Sequence, residues 1–268
     1  MIRPVSGGTR ILFIGDVVGG LGRRTLLSLL PALRAELQPT FVVVNGENSA
    51  GGLGITPKIA DELLASEVDA ITLGNHAYKR REIFPYLDRE PRIVRPANYL
   101  RSHPGRGLTV VERDGVRLGV VNLSGNLFLQ AGRPMFQEAD AALAELRDKA
   151  DLVLVDVHAE ATSEKVGLGW YLDGRVTAVV GTHTHVPTND ARVLPGGTAY
   201  ITDVGMTGPR GGVIGVRKEQ AIESMKTQLP VRFETSEDDP WLMGVLVTAG
   251  AAGDGLRATA IEPVLRPG

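Results

Sequence analysis

The feature that most constrains this chain is a repeated unit: a short β-branched apolar run that stops at a Gly or Asn beside a polar cluster. Residues 10–15 (RILFIG) and 40–45 (TFVVVN) are two such runs, and both read as buried strands. Between them RRTLLSLLPALRAEL spaces its apolar residues as a helix does, and TPKIADELLASEV repeats that pattern after a Gly-rich loop. DAITLG is a third strand ending at Gly74, and KRREIFPYLDRE is helical in pattern, with Pro85 expected to kink or end it. The opening third is therefore α/β with a largely parallel sheet.

The middle of the chain differs. LTVVERDGVRLGVVNL places Asp114-Gly115 between two alternating runs, the strongest short-range hairpin signal, so an antiparallel element is expected there. Residues 151–157 (DLVLVDV) and 175–180 (RVTAVV) restore the strand-then-polar-loop unit, and further strands are expected in ARVLPGGTAYITDVG and around 231–234 and 242–250. No internal repeat, charge run or low-complexity linker interrupts the pattern. The expectation is an α/β fold in one domain over residues 1–268, with two packed sheets and helices outside. Residues 1–9 would be a flexible N-terminal extension.

Composition narrows the function classes. Twenty-nine basic residues face thirty-one acidic ones, a formal charge of -2, so no general attraction to nucleic acid or an anionic membrane is expected. RNA is not indicated by charge. The chain has no cysteine, which excludes disulfides, a thiol nucleophile and a thiolate zinc site; any metal needs N and O ligands. No apolar stretch approaches membrane-spanning length and the first residues do not form a signal peptide, so a cytoplasmic location without a membrane partner is the expectation. Oligomeric state is left open.

Chemistry gathers at five strand ends: Asp16 after ILFIG, Asn45-Gly-Glu47-Asn48 after FVVV, Asn75-His76 after AITLG, His158 after VLVDV, and His183-Thr-His185 after AVVG. Ligands of α/β sheets bind outside the carboxyl ends of parallel strands, so clusters spread over about 170 residues can converge. Carboxylates, amides and imidazoles without thiols suit divalent Mn, Fe, Co or Zn better than Ca or Mg. One ion would not need two carboxylates, two amides and three histidines, whereas two ions would, with Glu47 as the candidate bridge. His183 and His185, two apart, could point to one side of an extended segment.

These motifs resemble the calcineurin-like metallophosphoesterases: GD at 15–16, GEN at 46–48, GNH at 74–76, His158 and GTHTH at 181–185. The closer similarity is to the YmdB-like branch, through ILFIGDVVG, NGEN, GNH, VRPAN, HAEATSEK, GWY, GTHTHV and AYITDVGMTGP, which together cover nearly the whole chain. The resemblance implies a four-layer α-β-β-α sandwich and hydrolysis of cyclic nucleotides, notably 2',3'-cyclic ones, or of another small phosphodiester. It implies two divalent or mixed-valence transition-metal ions, Fe or Mn. Asp16, Glu47, Asn48 and His185 would hold one ion, and Glu47, Asn75, His158 and His183 the other. A hydroxide held by the metals would attack phosphorus, with His76 as proton donor. This chain has Asp16-Val17-Val18 where the broad superfamily has Asp-x-His, so Asn48 stands in for an imidazole; Ala77, Tyr78 and Lys79 depart from the family's rim. A nucleotide-binding regulator with weak hydrolysis, or a phosphodiesterase acting on RNA, are the alternatives.

Taken singly, the residues have simpler readings. Asp16 could cap the following helix, and Asn48 and Asn75 could hold turns. The glycines of GDVVGGLGRR do not form GxGxxG, so no dinucleotide is expected. Glu160, Ser163 and Glu164 are expected to cap a helix start, His103 to be a surface-loop residue, and Trp170 and Tyr171 to pack.

Overall fold

The computed structural model describes residues 8–250 and 257–268. The first half of the chain runs β1 (Thr9–Ile14), β2 (Asp16–Val17), α1 (Gly19–Leu37), β3 (Phe41–Asn45), α2 (Pro57–Ala65), β4 (Ala70–Thr72), α3 (Phe84–Arg89), β5 (Ile93–Val94), β6 (Leu108–Arg113) and β7 (Val116–Ser124). The second half runs α4 (Met135–Leu146), β8 (Leu152–His158), α5 (Thr162–Tyr171), β9 (Ala178–Thr182), β10 (Arg192–Val193), β11 (Ala199–Ile201), β12 (Met206–Pro209), α6 (Lys218–Thr227), β13 (Pro240–Ala249) and β14 (Ala258–Pro267).

Two sheets result. The first is eight-stranded in the order β2-β12-β13-β1-β3-β4-β5, with β14 paired to β13; the second is six-stranded, β10-β11-β9-β8-β7-β6. The strands that carry the polar ends are parallel within each sheet: β1, β3, β4 and β5 in the first, β7, β8 and β9 in the second. Successive side chains alternate between faces, which sorts the apolar runs into three cores. Ile11, Phe13, Phe41 and Val43 meet Leu118, Val120, Leu154 and Val180 between the sheets. Leu12, Ile14, Val42 and Val44 pack outward on Leu26, Leu30 and Leu33 of α1 and Leu63 of α2. Val121, Val155, Val157 and Val179 pack outward on Met135, Ala139 and Leu146 of α4 and Leu168 of α5. The four layers are helix, sheet, sheet, helix. Among the described residues no helix is long and apolar enough to cross a membrane.

The expected hairpin is present: Asp114 and Gly115 both have positive φ (53° and 76°) and join β6 to β7 with Arg113 opposite Val116, the conformation that Asp-Gly favours. Three expectations need correction. Residues 1–7 of the expected extension lie outside the described residues, but Thr9 already begins β1 and pairs with Ala249. Pro85 neither kinks nor ends a helix; it sits in the first turn of α3, where its missing N–H has no partner to lose. Residues 231–234 form no strand, because their backbone meets α6 and its flank instead: Arg217 N–H donates to the Glu234 carbonyl and Glu234 N–H to the Gln220 side chain.

Phe13, fully buried between the sheets, tests this packing. Phe13→Ala should cost about 3–5 kcal/mol in urea unfolding. Ile222, 49% exposed on α6, should change stability by no more than about 0.5 kcal/mol when replaced by alanine.

Candidate metal centre

On the face between the sheets, the inward positions turn from apolar to polar at the strands' carboxyl ends. Phe41 and Val43 lead to Asn45, Ala70 to Thr72, Leu154 to Asp156 and His158, and Val180 to Thr182, all of them buried. Asp156 joins these groups. Its Oδ2 accepts from Asn45 Nδ2 (3.0 Å) and the Thr72 hydroxyl, both on the first sheet; its Oδ1 accepts from the Thr182 hydroxyl (2.7 Å) on the second. Since that hydroxyl spends its proton on Asp156, Thr182 Oγ1 can only accept from His158 Nδ1, 2.9 Å away. His158 thereby keeps its proton on Nδ1, and Nε2 is the nitrogen left for a cation or a second proton.

The same logic fixes the other two histidines. His185 Nδ1 donates to the Ile214 carbonyl (2.8 Å), and His183 Nε2 lies 3.0 Å from Glu160 Oε2. In each ring the remote nitrogen is the donor, so the bare nitrogen is the one turned to the centre. Around His158 Nε2 stand Asn75 Oδ1 at 2.8 Å, His183 Nδ1 at 3.0 Å and Glu47 Oε1 at 3.2 Å. Four lone-pair atoms facing one another repel unless a proton or cation lies among them. Glu47, His158 and His183 form a group able to hold a metal ion. Asp16 Oδ1 lies 4.0 Å from both His158 Nδ1 and His185 Nε2. Asp16 Oδ1 and Glu47 Oε1 are buried without a hydrogen-bond partner, an expensive condition for carboxylate oxygens that a cation relieves. The donor set fits a metal centre.

Local backbone makes this convergence sterically feasible. A Cβ at Gly74 would lie 2.3 Å from Glu47 Oε2 and 2.4 Å from His158 Nε2, so the GNH glycine is what lets β4's end approach the centre. His183 and His185 do not lie on an extended segment as expected. Both have positive φ (97° and 67°), a costly conformation for a residue with a Cβ, and it turns the two rings to different parts of the site. The intervening Thr184 is held by Asp203, whose Oδ2 accepts from its N–H (3.1 Å) and hydroxyl (2.7 Å) and pairs with the fully buried Lys165 at 2.8 Å.

Asp16, Glu47, Asn48, Asn75, His76, His158, His183 and His185 all come to this place, with differences in what each touches. Asp16 accepts the His183 N–H through Oδ2. Asn48 does not brace its own turn; Asn45 does, accepting the Glu47 N–H. Asn48 Nδ2 lies 3.1 Å from His185 Nε2, and its Oδ1 lies 2.6 Å from His76 Nδ1. His76 donates its backbone N–H to Glu47 Oε2 (2.9 Å). Glu160 reaches His183, and Glu164 does not cap its helix but accepts the Asn126 and Leu127 N–H groups of a neighbouring loop. Trp170 and Tyr171 are surface residues, Tyr171 bonded to Asp140. Sequence reasoning missed Asp156, Thr182, Lys165 and Asp203. The available signal was Asp156 inside an apolar strand, two residues before His158 and on the same face.

Electrostatics follow from burial and proximity. Burial disfavours charge on His158, but the Glu47 carboxylate outweighs it and raises the imidazole to about 9. Burial also opposes charge on Glu47, yet His158 beside it holds the carboxyl well below its usual range. His183 is lowered to about 3 by burial and then by its positive neighbour His158. Burial pushes Asp156 up to about 6 and raises Asp16.

A two-sheet sandwich with a buried carboxylate, amide and imidazole cluster at the carboxyl ends of its strands is the fold of a metallophosphoesterase. The chain belongs to the YmdB-like family, whose model it matches over residues 12–264. It is 51% identical over 238 residues to the 2',3'-cyclic-nucleotide 2'-phosphodiesterase of Bacillus subtilis (strain 168), a match that covers 89% of this chain and 90% of that protein. Its structure is similar, with a TM-score of 0.89 and 40% identity, to that of a hypothetical protein from Thermus thermophilus, over 97% of this chain and 99% of that one. A phosphatase from Mycoplasma pneumoniae aligns with a TM-score of 0.89 at 33% identity, over 100% of this chain and 95% of that one.

The tautomer argument predicts the effect of Asp156→Asn. The folded protein should persist, while calorimetric affinity for Mn2+ falls about 10- to 100-fold, the usual consequence of losing an outer partner of a ligating histidine. Unchanged affinity would break the link from Asp156 through Thr182 to His158.

Proposed function

We propose that this chain is a metal-dependent phosphodiesterase that hydrolyses 2',3'-cyclic nucleotides at a two-metal centre, acting in the cytoplasm. The observation that carries this reading is the convergence of three inward-turned imidazole nitrogens with two buried carboxylate oxygens that lack a hydrogen-bond partner, in a chain half identical to a phosphodiesterase of that substrate class. Glu47, Asn75, His158 and His183 would hold one ion; Asp16, Asn48, His185 and the shared Glu47 would hold the other. Ligation by Asn48 requires its amide to rotate half a turn, bringing Oδ1 to the side where Nδ2 now meets His185; the two amide orientations are nearly isosteric. Nitrogen and oxygen donors without thiolate suit Fe or Mn. Two such ions activate water and neutralise phosphate oxygens.

The protein's own groups supply the rest. With its amide so turned, Asn48 presents Nδ2 to His76 Nδ1 in place of the Oδ1 that stands 2.6 Å from it, so Nδ1 accepts and the ring's proton sits on Nε2, free to pass to the departing ribose oxygen. Glu47 fixes the same residue through its backbone N–H, which ties the donor's position to the centre. Asp156, Lys165 and Asp203 keep the imidazoles aimed without touching substrate.

The decisive experiment is elemental analysis of protein purified without chelator, with turnover of 2',3'-cyclic AMP by the same sample. Two ions per chain and multiple turnovers are expected; hydrolysis no faster than stoichiometric would sink the enzymatic reading. Metal loading should also be coupled to protons. Below pH 9 the chelator-treated protein holds a proton on His158 that the loaded protein cannot keep. Loading therefore releases protons, and apparent affinity rises with pH until about 9. Loading without proton release in weakly buffered solution would contradict the assignment of His158.

His76→Ala should keep the fold and both ions yet slow cyclic-nucleotide hydrolysis by about 10² to 10⁴, the usual contribution of a general acid. Bis(p-nitrophenyl) phosphate, whose leaving group departs without a proton, should lose much less. Equal losses toward the two substrates would mean that His76 orients phosphate or water instead.

A further inference from the structure

A cavity of about 710 Å3 opens beside the centre and shares Asn75 with it, within the size range of small-molecule sites. Its other walls are unlike the centre. Tyr78, Tyr99 and His103 form a fixed aromatic cluster: the Tyr78 and His103 rings meet edge-on at 5.4 Å, Tyr78 and Tyr99 lie 6.1 Å apart, and the Tyr78 hydroxyl donates to the Pro104 carbonyl. Phe128 lines the same cavity yet is 73% exposed. It rides on the loop between β7 and α4. The stem of that loop is pinned by Glu164, which accepts the N–H groups of Asn126 (2.6 Å) and Leu127 (3.2 Å), and by Met135, whose N–H donates to Asn126 Oδ1. A bare aromatic ring on an anchored loop gains nothing for the fold, since it buries little apolar surface.

We propose that this cavity is the nucleobase subsite, with Phe128 and the Tyr78 wall as stacking faces for the base of a substrate whose phosphate lies at the metal centre. This assignment rests on the phosphodiesterase reading. The occupant follows from continuity: a molecule bound through its phosphate beside Asn75 has its remaining bulk next to these rings, and the flat apolar part of a nucleotide is its base. Aromatic stacking accepts any base because every base has a π-face, so the subsite discriminates nucleotides from baseless diesters more than one base from another.

The test compares 2',3'-cyclic AMP with methyl riboside 2',3'-cyclic phosphate, which has the same strained ring and leaving group but a methoxy group in place of the base. In the wild type, KM for the nucleotide should be lower than for the analogue at similar kcat. Phe128→Ala should shrink that KM ratio about 5- to 150-fold, the range that losing one stacked base spans, and Phe128→Tyr should restore it. A KM ratio unchanged in Phe128→Ala, or loss in kcat for both substrates, overturns the subsite while leaving the centre standing. Wild-type protein with two ions that hydrolyses neither substrate overturns the reading of the centre, and the subsite with it.

Discussion

The structure depends on one buried carboxylate. Asp156 lies between the two sheets and takes hydrogen bonds from Asn45 and Thr72 on one side and Thr182 on the other. Such a charge is costly to bury without partners and tolerable only when its oxygens are fully engaged. Any slide of one sheet over the other would strip it of a donor. The register of the sandwich and the tautomer of His158 are thus set by the same group, so the scaffold and the centre cannot drift apart.

A buried ion pair does comparable work just beyond the end of β9. The Lys165–Asp203 pair is fully buried and holds Thr184 at backbone and side chain. That grip matters because His183 and His185 on either side adopt left-handed backbone conformations. Residues persist in such conformations when the surroundings over-determine them. Here the strain has a purpose that an extended strand end could not serve: an extended pair two apart would point both rings one way, whereas this turn sends His183 to His158 and His185 toward Asn48.

How much of this was legible in the sequence depended on the range of the interaction concerned. The strand ends bearing Asp16, Glu47, Asn75, His158 and His183 could be read because a β-branched run followed by a polar residue is a local signal, and parallel strands bring their ends together. The Asp114-Gly115 hairpin was equally local. Asp156 and Lys165 were not legible as organisers, since their partners are 26 to 111 residues distant and their neighbours read as ordinary strand and helix. β14 was hidden by its own prolines; Pro263 and Pro267 suit a strand paired on one side only, as it is with β13. His103 is the loop residue expected, but its packing was hidden because its aromatic neighbours Tyr78 and Tyr99 come from other parts of the chain.

Four histidines meet in this site, and what separates their roles is which ring nitrogen the protein has already claimed. In His158, His183 and His185 the outer nitrogen is tied to Thr182, Glu160 and Ile214, which leaves the inner one to turn toward a cation. In His76 the assignment is reversed: Asn48 engages Nδ1 on the side of the centre, and the other nitrogen is left to exchange protons. An imidazole with its inner nitrogen blocked is a poor ligand and a serviceable acid; one with its outer nitrogen blocked is the converse. Glu47 stands on both sides of this division, 3.2 Å from His76 Nδ1 and 3.2 Å from His158 Nε2. A change in charge at Glu47 must therefore reach His158, the proposed ligand, and His76, the proposed proton donor, together.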